Sequence, residues 1–164
     1  MQALLKVEQI KKSFGPTKAL RGVDMELKSG EIHGLIGENG SGKSTLSSIV
    51  AAVYRADSGT MYIDGKTYDP YSMQDAVAGG VSMIAQEQAT FAGMDVASNI
   101  FIGKEKMFER FGLLSVRKMK EDANKALANI GADHIKASQH VENLSFEERK
   151  LVEIARAILN CSLM

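Results

Sequence analysis

The sequence predicts an α/β fold: a β-rich front, a glycine loop held between a strand and a helix, and a helical insert. Three observations carry this. Apolar residues alternate with polar ones in the opening segments. The loop Gly37-Glu38-Asn39-Gly40-Ser41-Gly42-Lys43-Ser44-Thr45 follows an apolar run and precedes an apolar stripe at helical spacing. From about Thr90 onward the patterning turns mostly helical.

Residues 4–10 read as a strand with Leu5 and Val7 on one face, and Phe14-Gly15-Pro16-Thr17 as a turn. Val23, Met25 and Leu27 alternate with Asp24, Glu26 and Lys28, the signature of a half-buried strand that Ser29-Gly30 interrupts. Residues 31–36 read as a second strand entering the loop, and residues 43–54 as a helix with Leu46, Ile49, Val50 and Val53 on its apolar face. Met61, Ile63 and the pair Asp64-Gly65 predict one arm and the turn of a hairpin. Residues 81–85 read as a short apolar strand. Ser115 opens a helix with Val116, Met119, Ala123, Leu127 and Ile130 in step, and Gly131 ends it. Ser145 followed by Glu148 predicts a capping box for a last helix over 146–159.

Composition bounds the function. At 164 residues, with 45% hydrophobic and 24% charged, the chain has the profile of a single globular domain. Twenty basic residues balance 20 acidic ones, which argues against a nucleic-acid binder resting on a basic footprint. The single cysteine, Cys161, cannot form an internal disulfide and has no metal-ligand partner at useful spacing, so a reduced, intracellular setting is expected. No apolar run approaches bilayer length and the first residues lack signal-peptide character, so any membrane role is expected to be peripheral, through a spanning partner.

The loop satisfies G-x-x-x-x-G-K-[ST] through Gly37, Gly42, Lys43 and Ser44. Glycines let backbone N–H groups turn inward around an anion. The following helix aims its positive end at phosphates. Lys43 is suited to the β- and γ-phosphate oxygens, the Ser44 hydroxyl to Mg²⁺, and Thr45 to the α-phosphate. A nucleotide is the expected ligand, with ATP and Mg²⁺ as cofactors.

The wording of this loop, with Lys12-Ser13-Phe14-Gly15 and Ala19-Leu20 upstream, resembles the ATP-binding subunits of ABC transporters, within them the sugar importers of ribose/galactose type. The resemblance implies that Phe14 stacks on adenine, a role a flat apolar ring suits. Ser82-Met83-Ile84-Ala85-Gln86-Glu87 resembles the Q-loop, whose glutamine touches Mg²⁺ or the attacking water; Gln86 aligns best and Gln88 is the alternative. Ala97-Ser98-Asn99-Ile100-Phe101-Ile102-Gly103 is similar to the opening of the family's helical subdomain. Leu144-Ser145-Phe146-Glu147-Glu148 lies where the signature should be, but Glu147 holds its defining glycine position and brings a carboxylate toward an anion. Ser145 is then equally well read as a helix cap.

The resemblance implies a partial ABC-type P-loop fold over 1–164: antiparallel β front and Walker A core over about 1–90, a helical subdomain over about 91–145, and the signature helix over 146–164. Walker B and later strands are expected to be missing. No Asp-Glu pair follows an apolar run, and none of His33, His134 or His140 has the setting of the switch histidine. Since phosphoryl transfer to water needs a group orienting the nucleophile and a second hold on Mg²⁺, nucleotide binding without hydrolysis by this chain alone is expected. Implied partners are transmembrane permease subunits, a second ATPase domain and, indirectly, a sugar-binding protein, at the cytoplasmic face of the membrane; nucleic acid is not among them. Unpaired strand edges predict a rearranged sheet or self-association. The competing reading is a non-catalytic nucleotide-binding module docking on permease subunits. A small P-loop kinase or GTPase is disfavoured, because Asn124-Lys125 continues as Ala126-Leu127 rather than as a guanine motif and no acceptor site is visible.

Overall fold

Two long strands open the chain. A computed structural model, describing residues 3–84, 90–110 and 112–162, pairs β1 (Ala3–Phe14) with β2 (Thr17–Lys28) about the predicted turn. β3 (Ser58–Ile63) adds to the other edge of β1, and the short β4 (Lys66–Thr67) follows, giving the antiparallel order β2-β1-β3-β4. Asp64 and Gly65 close the β3–β4 hairpin with φ of 48° and 73°, the double left-handed turn expected of that pair. β1 bulges at Gln9, whose backbone and side-chain amides both donate to the Asp24 carboxylate. Across that bulge, Gly59 takes φ +103°, and a Cβ there would lie 2.6 Å from the carbonyl oxygens of Glu8 and Gln9. Only glycine lets β3 approach so closely.

Helix α1 (Lys43–Val50) lays Leu46 and Ile49 on the sheet with Val7, Ile10, Leu20 and Met61. Val7, Ile10 and Ile49 are each 1% exposed, and burial on this scale stabilises by roughly 1.5–3 kcal/mol per side chain. The helix stops four residues before the predicted Tyr54. Val53 N bonds back to Ser48 O at 2.8 Å and Ala52 N to Ile49 O at 3.0 Å, with Ala52 at φ +57°. This is a Schellman ending carried by a non-glycine residue. The Tyr68 hydroxyl donates to Val50 O at 2.8 Å and satisfies another terminal carbonyl. Helix α2 (Met73–Ala78) follows, capped by Ser72 and Asp75.

The predicted strand over 31–36 is not formed. No described strand pairs with these residues, and Ile32 and Ile36 are 100% and 97% exposed. A central strand needs ladder partners on its edges, and apolar composition does not supply them. Residues 81–84 likewise adopt no strand, although Val81 packs on the first core; Ala85 lies outside the described residues.

The described residues divide into two compact units, the first running to Met83 and the second beginning at Ile84. The second contains α3 (Val96–Ile100), a 3₁₀ turn (Glu105–Phe108), the hairpin β5 (Glu109–Arg110) and β6 (Leu113–Leu114), α4 (Val116–Asn129), a 3₁₀ turn (Val141–Asn143) and α5 (Phe146–Ser162). Val96, Ile100, Leu127, Ile135, Val141 and Val152 form its core. Within the predicted stripe of α4, Met119, Ala123 and Leu127 are buried, while Val116 is exposed. Buried Asn99 bonds both Phe91 N (2.7 Å) and Phe91 O (3.1 Å), tying the approach to α3 onto that helix.

Candidate phosphate-binding site

The loop over 37–45 is shaped by what lies beneath it. Gly42 takes φ +92° at the N-cap of α1, and a Cβ there would meet Leu20 Cδ2 at 2.6 Å and the Ala19 carbonyl oxygen at 2.7 Å. The loop therefore rests directly on β2, with a left-handed glycine turning the chain into the helix. Gly40 is also left-handed, at φ +85°, but has open space around it.

Within this frame Lys43 folds over the loop. Its Nζ donates to Gly37 O and Glu38 O, both at 2.7 Å, and lies 3.4 Å from Ser41 Oγ. Ser41 N donates to Glu38 O at 3.2 Å, closing the curl. Among the described residues, the backbone N–H groups of Gly40, Gly42, Lys43, Ser44 and Thr45 have no carbonyl partner, as expected at a helix start. The Ser44 and Thr45 hydroxyls are not engaged by other described residues. One ammonium, a row of free N–H donors and a helix N-terminus thus converge on a short stretch of chain. That arrangement suits an anion with several oxygens. It also suits Mg²⁺ at the Ser44 hydroxyl, provided phosphate supplies other oxygens.

Upstream, Glu31 accepts from Lys28 N at 2.8 Å and meets His33 Nδ1 at 3.2 Å; the Lys28 amide, then His33, hold its carboxyl below the usual range. Asp57 accepts from Lys12 Nζ at 2.9 Å and Ser13 N at 2.7 Å, and these two hold its carboxyl below the usual range. Asp57 thereby braces the hairpin end that carries Phe14. The Phe14 ring meets Tyr54 edge-on at 5.2 Å, with Lys12 Nζ 5.5 Å from its centre, and is 42% exposed.

The structure brings Gly37, Glu38, Ser41, Gly42 and Lys43 together and sets Ser44 and Thr45 on the first helical turn. Asn39 and Gly40 are exposed. Phe14 makes no described contact with the loop, but Leu20, against which Gly42 packs, pairs with Lys12, two residues from Phe14. Gln86 and its alternative Gln88 lie outside the described residues. Sequence reasoning missed two supports: the Ala19–Leu20 floor and the Asp57 brace, which acts from 45 residues along the chain. In the second unit, Ser145 Oγ accepts from Glu148 N at 3.2 Å and Glu148 Oε2 from Ser145 N at 2.8 Å, so Ser145 does cap α5, with Glu147 exposed beside it.

Comparison with known proteins adds three findings. The family model described as "ABC transporter" matches residues 20–164. The ribose import ATP-binding protein RbsA of Streptococcus agalactiae serotype III (strain NEM316) is 41% identical over 94% of this chain. The protein of the same name from Yersinia pestis bv. Antiqua (strain Antiqua) is 43% identical over 94%. The chain spans 31% and 30% of the length of these two relatives. Among solved structures, a nucleotide-free ATP-binding cassette from an ABC transporter superposes with a TM-score of 0.81 at 28% identity, covering 97% of this chain and 66% of that one. An ATP-binding cassette in its ADP conformation gives 0.78 at 28% identity, covering 98% and 66%.

Proposed function

Because the chain belongs to the ABC transporter family, we propose that it forms the nucleotide-gripping part of an ATPase that drives carbohydrate import, with ribose-class sugars as cargo. The observation that carries this reading is the Lys43 ammonium folded inside the loop at the start of α1, 2.7 Å from two of the loop's own carbonyls. In this reading Gly37, Glu38, Asn39, Gly40, Ser41 and Gly42 wrap the phosphates of ATP with their backbone. Lys43 reaches the β- and γ-phosphates, Thr45 the α-phosphate, and Ser44 ligates Mg²⁺. Phe14 stacks on adenine, and Gln86 touches Mg²⁺ or water. The cargo class is supported by the ribose import named for the relatives. Residues 1–90 serve as β front and core, 91–145 as helical subdomain and 146–164 as signature helix.

Binding and hydrolysis are assigned separately. No Asp-Glu pair follows an apolar run in these residues, so the groups that orient water and give Mg²⁺ its second hold are supplied from elsewhere. The partners are permease subunits, a second ATPase domain and, through the permease, a sugar-binding protein, at the cytoplasmic face of the membrane. The exposed 31–36 segment is a second site of association, offering another chain a stretch with which no described strand pairs. Glu147 beside a capped Ser145 favours a second reading, a nucleotide-binding module that docks on permease subunits and never turns over.

Titration of the chain with a fluorescent ATP analogue, with and without Mg²⁺, tests the grip. Saturable binding that weakens with Lys43→Ala is expected, and binding indifferent to that change refutes it. Phosphate release is measured on the same samples. Turnover that disappears with Lys43→Ala overturns the assignment of hydrolysis to groups elsewhere.

A further inference from the structure

The second unit carries an apolar surface that its core does not use. Around the β5–β6 hairpin, Met107, Leu113, Leu114 and Val116 are 49%, 76%, 42% and 45% exposed. The hairpin has a firm root. Phe108 is buried edge-to-face on Phe101 with ring centres 4.6 Å apart, and Ser115 N donates to Phe108 O at 2.8 Å, joining the hairpin's two ends. Apolar side chains on such a root are presented outward rather than folded away.

The charges around them are one-sided. Residues 104–118 hold five basic and two acidic side chains, in a chain whose totals are 20 of each. Lys106 sits in the 3₁₀ turn and Lys118 on the first turn of α4, and that 3₁₀ turn packs against both β6 and α4. Both lysines are exposed and form no ion pair among the described residues. The Glu105 carboxylate, the nearest acid in sequence, accepts from Gly103 N at 2.9 Å.

We propose that this hairpin docks on the headgroup layer of an anionic lipid bilayer. Met107, Leu113 and Leu114 enter the interface, and Lys106 and Lys118 face the lipid charges. An apolar tip flanked by uncompensated cations has the two attractions that interfacial binding sums, apolar burial and attraction to anionic lipid. A second copy fits less well, because a symmetric contact through this patch sets the same lysines against each other. Strands of two residues also present too short an edge for a partner's strand to add.

The test uses the whole chain with vesicles of phosphatidylcholine containing phosphatidylserine, against phosphatidylcholine alone. The sequence has no tryptophan, so Leu113→Trp installs a single reporter at the tip. Co-sedimentation with the anionic vesicles and a blue-shifted emission on binding are expected. The double change Lys106→Glu/Lys118→Glu should weaken binding by roughly tenfold or more, with far-ultraviolet circular dichroism unchanged. Equal binding to both vesicles, indifference to the charge reversal, or an unshifted emission overturns the proposal. So does a blue shift that grows with protein concentration without lipid. Ile36→Asp separates this surface from the exposed 31–36 run: vesicle binding lost there but retained in Leu113→Asp/Leu114→Asp also overturns it.

Discussion

Replacing Gly42 by alanine separates the geometry of the phosphate loop from its chemistry, because the change removes no hydrogen-bonding group. Gly42 and Gly40 are both left-handed, at φ +92° and +85°, and alanine in that region costs about 1–2 kcal/mol at either site. The sites differ in their surroundings. An added Cβ at Gly40 meets nothing within 4 Å, whereas at Gly42 it meets Leu20 Cδ2 at 2.6 Å and Ala19 O at 2.7 Å. Leu20 is 4% exposed, and the Ala19 oxygen moves only if β2 moves. Overpacking of this kind costs a further 1–3 kcal/mol or so. Gly42→Ala should therefore weaken binding of the ATP analogue by roughly 5- to 150-fold more than Gly40→Ala. It should also lower the melting temperature, since the displaced Leu20 belongs to the first core. Equal losses at the two positions, or undiminished affinity in Gly42→Ala, would refute the argument that the loop rests on β2.

Other perturbations isolate single interactions. Lys43→Met removes the ammonium proposed to bind phosphate and should reduce ATP-analogue affinity by about 1.5–3 kcal/mol, read in the same titration, with little change in unfolding midpoint. Tyr68→Phe strands Val50 O at the end of α1 and should cost about 1 kcal/mol in denaturant unfolding. Burial pushes the Tyr68 phenol up to about 12; its contribution is intact below the ordinary tyrosine pKa and is lost as pH rises through the folded value, which phenolate absorbance follows. Ser145→Ala should cost about 1 kcal/mol of α5 stability. The Ser145 amide, then its hydroxyl, hold the Glu148 carboxyl below its usual range. That contribution is present above the ordinary carboxylate pKa and disappears as pH falls through the lowered one; an acid titration of helicity should flatten in Glu148→Gln. Asn99→Ala leaves both backbone groups of Phe91 without their partner and should destabilise the second unit by roughly 1–3 kcal/mol, measured by hydrogen exchange of α3.

What was legible in the sequence is what neighbouring residues decide among themselves. Asp64-Gly65 specifies its turn because both residues tolerate positive φ. Ser145 and Glu148 specify a helix start because two side chains answer two backbone N–H groups. The early end of α1 left no such mark, since its left-handed residue is Ala52 rather than a glycine. Asp57 was unreadable for another reason. Its partners lie 44 and 45 residues away, and nothing in the local wording of Tyr54-Arg55-Ala56-Asp57 distinguishes a brace from a solvated surface acid.

The same division runs through the candidate site and bears on its chemistry. The loop closes on itself: among the described residues the Lys43 ammonium bonds Gly37 and Glu38 and lies against Ser41, and the floor of the loop is the hairpin strand β2. Residues 31–36, one step upstream, have the composition of a strand, but a strand is completed only by hydrogen bonds to others, and none of the described strands pairs with them. The proposed grip on phosphate thus draws on parts the first unit contains, whereas no described strand pairs with the run leading into it. A site built this way separates holding a nucleotide from using it. In the proposed function, binding should follow Lys43 and Gly42, while turnover should depend on whatever pairs with residues 31–36 and supplies carboxylates beside Ser44.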